Sequence, residues 1–290
     1  MTRRGRWLVL AAGLLWSLSG VITKSLPLDP LTIAFYRGLF AGLALLPLVP
    51  FQKWVLRPVM VPLGLIFGAM TACYLGSVKL TTAANAIYLQ YTAVLWLVPL
   101  GIRFLGERPD RRVLVGIALA MLGIGLIVGW GVEGRPGEDR GVILGLISGL
   151  AFAVVATGLR GLRSLDPIWL SAALNLLGAC FLGIWILLTE QGPTVPTAGQ
   201  ALALVGFGVI QMAVPYVLFA RGLREVGTAE AGLITLVEPI LNPVWVALVV
   251  GELPAIATLA GGTFLLAGVA YRYWPRPSAT MPTWSHRGGL

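Results

Sequence analysis

Few polar side chains interrupt the long apolar runs of this chain, and those few are where chemistry could be done. The sharpest is Glu238, in the stretch AEAGLITLVEPILNPVWVALVVGELP over 229–254. A carboxylate at hydrocarbon depth costs about 2.5–3.5 kcal/mol even on lenient scales, so it demands a partner, a wet cavity or a proton. Pro239 and Pro243 carry no N–H and leave carbonyls one turn upstream unbonded. The spacing Thr235, Glu238, Asn242 sets three polar groups on one helix face. Two roles are open to Glu238: fixing helix packing through hydrogen bonds, or binding and coupling a substrate.

A second wall comes from ANAIYLQYTAVLWLVPLGIRFLGERP over 84–109. Asn85, Tyr88 and Thr92 repeat the same spacing, with Tyr91 and Trp96 close by. An amide, a phenol and a hydroxyl flanked by rings suit an amphipathic organic molecule. An interfacial aromatic belt is the alternative. Arg37 lies seven residues past Pro30, where it could snorkel to the interface, pair with Glu238 or grip a carboxylate in a bidentate fork. Lys79 and Lys24 fall at segment ends and could shape the charge at an entrance. Trp16, Tyr74, Trp169, Asn175, Gln211 and Tyr216 complete the candidates for a substrate cavity. No HExxH, CxxC, GxSxG or phosphate-loop pattern occurs, and no paired carboxylates share a helix face. His286, the one histidine, has no second ligand near it, and Cys73 and Cys180 sit in apolar runs as small hydrophobes. Neither a catalytic constellation, nor a metal site, nor a cofactor is expected, which favours a function other than an enzyme's.

These residues need elements to hold them. Hydrophobic residues make up 57% of the 290 and charged ones 11%, against about 25% charge in soluble domains. Apolar runs reach the roughly 20 residues a helix needs to cross hydrocarbon, and the alternating 10-residue segments of a barrel are absent. The expected fold class is all-α integral membrane. Charges and Pro/Gly clusters cut the chain into ten segments, near 7–26, 31–50, 59–79, 83–105, 111–131, 140–160, 167–189, 198–222, 226–250 and 255–274. Short separators make successive helices antiparallel neighbours.

The net charge of +9 could suggest nucleic acid, but the basic residues sit at segment ends and form no stripe with aromatics. With the N-terminus inside, 16 of the 21 Lys and Arg fall in cytoplasmic pieces, 4 on the other side, and Arg37 within a span. That bias fits both termini in the cytoplasm. The opening MTRRGRW and the apolar run after it read as a retained first span.

The two walls are copies. Ala84, Ala86, Gly106, Glu107 and Pro109 recur 145 positions later as Ala229, Ala231, Gly251, Glu252 and Pro254, and Gly116 and Gly123 as Gly261 and Gly268. Leu28-Asp29-Pro30 recurs as Leu165-Asp166-Pro167, offset by 137. Five spans per copy is an odd number, so the copies enter the membrane from opposite sides and a pseudo-two-fold axis lies in its plane. The expected organisation is a first five-helix repeat over 1–133, a second, inverted one over 134–274, and a mobile cytoplasmic tail over 275–290. The glycine pairs are expected to form a tight helix interface. Ala93-Val94 stands where the second copy has Glu238-Pro239, so any role of that carboxylate is not symmetric.

The ordered set of features resembles the drug/metabolite transporter superfamily, in its EamA-type branch. Phe104-Leu105-Gly106-Glu107-Arg108 and Val249-Val250-Gly251-Glu252-Leu253 close the fourth helix of each half, a glycine-rich helix follows each, and Tyr36-Arg37 and Glu238-Pro239 fit the pattern over about 1–275. Tyr88-Leu-Gln-Tyr91 is similar to YddG-type bacterial exporters of aromatic amino acids. The resemblance implies ten helices around a cavity lined by helices one, three, four, six, eight and nine. It also implies alternating access, a bacterial inner membrane, and amino acids with aromatic or other apolar side chains as cargo. A small molecule and the lipid bilayer are the expected partners, nucleic acid is not, and a monomer is the expected assembly. A multidrug or other small-metabolite carrier is the rival reading, and an intramembrane enzyme on a lipid-linked substrate the rival of another class.

Overall fold

Two aspartates start equivalent helices. In the computed structural model, which describes residues 3–106, 111–130, 134–189, 194–226, 231 and 233–274, Asp29 accepts a hydrogen bond from the Thr32 amide at 2.8 Å and opens α3 (Pro30–Leu45). Asp166 accepts from Ile168 and Trp169 at 2.9 and 3.3 Å and opens α9 (Pro167–Leu188). In each a proline follows directly, its missing N–H harmless in a first turn. Two glycines end equivalent helices. Gly106 and Gly251 stand at φ 67° and 76°, past α6 (Ala93–Leu105) and α12 (Val237–Val250). This is the left-handed C-cap that glycine adopts without strain.

The other elements are α1 (Arg3–Trp16), α2 (Ser19–Ser25), α4 (Met60–Leu80), α5 (Ala83–Gln90), α7 (Arg111–Trp130) and α8 (Glu138–Gly161). After α9 come α10 (Ala198–Gly206), a π-helical turn over Phe207–Ala213, α11 (Val214–Gly222) and α13 (Ile256–Tyr273). No strand occurs among the described residues. Among the described residues, seven stretches are long and apolar enough to cross a membrane: 3–25, 30–48, 60–80, 83–104, 138–161, 167–188 and 198–222. Shorter apolar helices at Leu114–Trp130, Val237–Val250 and Ile256–Tyr271 occupy the other three expected segments. Large apolar side chains such as Met121, Leu122, Leu187 and Leu248 lie more than half exposed, the surface a helical bundle turns to lipid rather than water.

Packing follows the repeat. Helix α7 lies along α13, and α3 along α9. The pair α4–α8 has its counterpart in α11–α1, and α4–α9 in the π-helical turn against α3. The contacts of α5 and α6 with α8 are matched by those of α12 with α1 and α2. Exchanging the first five segments for the last five therefore maps the bundle onto itself. Glycine makes the closest approaches possible. A Cβ on Gly123 would strike the Gly261 carbonyl and one on Gly261 the Gly123 carbonyl, while one on Gly268 would sit 2.6 Å from the Gly116 oxygen. The glycine pairs thus form a tight interface between α7 and α13.

Besides the π-helical turn of the eighth, three segments are broken by turns among the described residues. The first breaks at Ser17–Leu18, the fourth at Tyr91–Thr92 and the ninth at Thr235–Leu236. The last two breaks fall within one residue of equivalent positions of the repeat. Pro239 accounts for the ninth: without its N–H, Thr235 loses its usual partner and its carbonyl accepts from the Glu238 amide at 3.0 Å, one residue short of α-helical spacing. No proline stands at the same place in the fourth, yet Thr92 and Leu95 make the same shortened bonds, to Leu89 and Thr92 at 3.1 and 2.9 Å. Pro243, by contrast, lies inside α12 without a break. The tail 275–290 with His286, and Glu107 with Pro109, fall outside the described residues.

Candidate functional site

The broken ends of these segments meet around a central cavity of about 330 Å³. Its aromatic wall is Trp16, Phe67, Tyr74, Tyr91, Phe152, Tyr216 and Phe219. Trp16 sets the edge of that wall against Tyr216 at 5.4 Å between ring centroids and against Phe219 at 5.3 Å. Ser19, Thr71, Gln90, Gln211 and Thr235 add polar groups, and Arg37 and Glu238 add the two charges. The size lies at the lower end of the roughly 300–1,000 Å³ typical of small-molecule sites, and the mixture of mostly apolar walls with few polar groups is theirs too.

The break in the first segment is tied down by side chains from elsewhere. Gln211, on the π-helical turn, donates to the Trp16 carbonyl at 3.0 Å, a carbonyl at the end of α1. Trp245 donates to Ser17 Oγ at 2.9 Å, and Ser17 in turn donates to the Leu14 carbonyl. Beside the cavity, Asn242 donates to Ser19 Oγ at 3.0 Å, and Ser19 shares a hydrogen bond of 3.1 Å with the Tyr74 hydroxyl. This chain of three residues from α12, α2 and α4 closes the cavity on one side.

Arg37 does not snorkel. It is 5% exposed, its guanidinium carbon lies 5.1 Å from the Phe207 ring centroid, and it faces the cavity from α3. No ion pair within 4 Å joins Arg37 to Glu238, although both line the same space. The Arg37 Nε, Thr71 Oγ1 and Gln211 Oε1 are buried without a hydrogen-bond partner among the described residues. Groups of this kind are costly unless something completes them, and a polar ligand in the cavity could do so.

The site residues expected from sequence divide in two. Trp16, Arg37, Tyr74, Tyr91, Gln211, Tyr216 and Glu238 line the cavity. Asn85, Tyr88, Trp169, Asn175, Asn242 and Lys79 lie outside its lining. Asn85 accepts from Thr258 at 2.7 Å, and the Tyr88 ring covers Gly262 on α13. The face at Asn85 and Tyr88 is thus turned to the neighbouring helix, and Gln90 and Tyr91, at the break, turn inward instead. Trp169 stacks on Trp54 at 5.4 Å and donates to the Val55 carbonyl, at a segment end. Asn175 donates to its own helix at Ser171 O and edges a small cleft behind Arg37. Lys79 donates to the Leu26 carbonyl, and Lys24 pairs with Glu252 at 2.6 Å. Glu252 also caps α5 through the Ala83 amide at 2.8 Å, so the second "GE" closes one end of the bundle. Phe67, Met70, Phe152 and Phe219 were not among the sequence candidates; as apolar residues on apolar helices they carry no signal of their own.

Residues 3–129 and 139–273 each match the EamA-like transporter family. This chain belongs to that family. An uncharacterized transporter of Archaeoglobus fulgidus is 31% identical over 267 residues, covering 90% of this chain and 93% of that protein. A second from the same organism is 25% identical over 93% of this chain and 97% of its own length. The uncharacterized transporter YcbK of Bacillus subtilis is 26% identical over about half of each chain, 55% and 54%. A solved crystal structure superposes with a TM-score of 0.68 over 92% of this chain and 96% of its own, at 17% identity, which establishes the shared fold alone. The EamA-like family is one of membrane transporters, and its relatives are named as transporters rather than enzymes. Residues of both matched segments line the cavity. Helix α3 adds Arg37 to the lining beyond the helices the resemblance implied.

Proposed function

We propose that this EamA-like protein is a secondary transporter that exports amino acids with aromatic or other apolar side chains, working by alternating access. One observation carries the reading: a guanidinium and a carboxylate, Arg37 and Glu238, share an aromatic-walled cavity without pairing to each other. A free amino acid carries the two opposite charges that would satisfy them, its carboxylate on Arg37 and its ammonium near Glu238. Its side chain would then extend along Tyr91 and Phe152, which line the cavity beside Glu238. A polar sugar nucleotide would need several converging cations, and among the described residues Arg37 is the one lysine or arginine lining the cavity.

In this reading the protein sits in a bacterial inner membrane as a monomer, with both termini in the cytoplasm. The inverted halves 1–133 and 134–274 rock about the cavity and expose it to either face. The test is counterflow in proteoliposomes with labelled phenylalanine, tryptophan, methionine and threonine, with and without a pH gradient. Saturable uptake of the apolar members is expected. No uptake of any of the four would discard amino acids in favour of another small-metabolite or drug cargo. If Glu238 couples protons, Glu238→Gln removes the effect of the pH gradient while leaving the protein folded; a pH effect that persists in the variant returns Glu238 to a packing role.

A further inference from the structure

A second cavity of about 240 Å³ adjoins the first and shares Gln90, Tyr91, Phe152, Thr235 and Glu238 with it. The rest of its lining is apolar throughout: Ala93, Val94, Leu97, Leu236 and Val269. Ala93 and Val94 are the residues that stand where the second half of the repeat carries Glu238 and Pro239. The two halves therefore present unlike walls at the same point of the pseudo-symmetry, a carboxylate from the ninth segment and two small apolar residues from the fourth. Ala93 and Val94 are 4% and 7% exposed, so the apolar wall is built into the bundle and does not face lipid.

We infer that the two cavities form one two-compartment site, in which the main cavity holds the charged end of the cargo and the annex at Ala93, Val94, Leu97, Leu236 and Val269 receives its apolar end. The ligand class is an amphipathic small molecule whose apolar group reaches past Glu238 into the annex. The inference rests on the amino-acid reading above, and adds which residues set the size of side chain that is accepted. A polar group there would be desolvated without a partner, whereas each methylene gained or refused by an apolar pocket changes selection about tenfold or more. The asymmetry of the repeat thus becomes a specificity device: a symmetric copy of Glu238 at position 93 would place a second carboxylate where the apolar end must go.

The experiment is counterflow of a graded series, threonine, methionine, phenylalanine and tryptophan, in proteoliposomes of the full chain. Ala93→Leu and Val94→Phe fill the annex and are expected to lower phenylalanine and tryptophan uptake about tenfold relative to threonine. Leu97→Ala enlarges it and is expected to raise tryptophan relative to threonine. Size-exclusion profiles in detergent establish that each variant is folded, and Leu97→Ala carries the test where the filling variants do not fold. A uniform factor across the series, as a mere exit path would give, overturns the annex and leaves the amino-acid reading standing. No counterflow of any member by the unsubstituted protein overturns both.

Discussion

Arg37 is the residue on which the account of the cargo turns. It is buried, held beside Phe207, and its Nε has no hydrogen-bond partner among the described residues. A charge-assisted hydrogen bond is worth about 1.5–3 kcal/mol, and about 1.4 kcal/mol is a factor of ten in affinity. Arg37→Gln is therefore expected to raise the KM for phenylalanine counterflow at least about tenfold. An unchanged KM in a folded Arg37→Gln protein would make the arginine a packing residue. Glu238 and Arg37 were both visible in the sequence because charge is conspicuous inside an apolar run. Asn85 and Tyr88 misled for the opposite reason: their spacing defines a helix face, and spacing alone does not say which neighbour that face meets. The structure turns it to Thr258 and Gly262 on α13. Gln90, adjacent to Tyr91, reaches the cavity because the helix breaks there.

At the scale of elements, the starts and ends of helices were legible, and of their interruptions the one at Pro239. Asp29-Pro30 and Asp166-Pro167 announce helix starts, and Gly106 and Gly251 announce stops, because capping is local chemistry. The Asp166 carboxyl shows what such a cap contributes. Burial pushes it up, but Lys53 at 2.9 Å and the amides of Ile168 and Trp169 together hold it below the ordinary carboxylate value. Its stabilisation is thus fully present above that ordinary value, about 3.9, and is lost as the pH falls through the lower folded value. Asp166→Ala is expected to cost about 1 kcal/mol, mostly from the cap, since an exposed pair with Lys53 adds little. Thermal unfolding in detergent measures it: the gap between the two proteins should narrow from neutral pH to below about 4. A gap that is constant with pH would deny the charged cap. The break at Tyr91–Thr92 has no proline that forces it and arises from tertiary packing that a linear reading does not contain, whereas the π-helical turn at Phe207–Ala213 runs into Pro215, which cannot donate to the Gln211 carbonyl.

At the scale of the whole molecule, the repeat was the feature most fully expressed in sequence. Its glycines predict the α7–α13 interface, and the exchange of halves that it implies maps the observed packing onto itself. What the repeat leaves open is where its two copies differ. Glu238 lines the second cavity together with Ala93 and Val94, a carboxylate beside two apolar residues. One end of the bundle is fastened by Lys24 with Glu252 and by the Ser19, Tyr74 and Asn242 chain. The central claim is that cargo lies in the cavity between Arg37 and Glu238. It is tested most directly by a single cysteine there. Cys73 and Cys180, the free cysteines of the chain, are replaced by alanine, and Ala156, which lines the cavity, by cysteine. The rate at which a small thiol reagent modifies Ala156→Cys is then followed with and without phenylalanine. The account predicts that phenylalanine, at concentrations that saturate counterflow, slows the modification severalfold. A rate unchanged by saturating phenylalanine would contradict it.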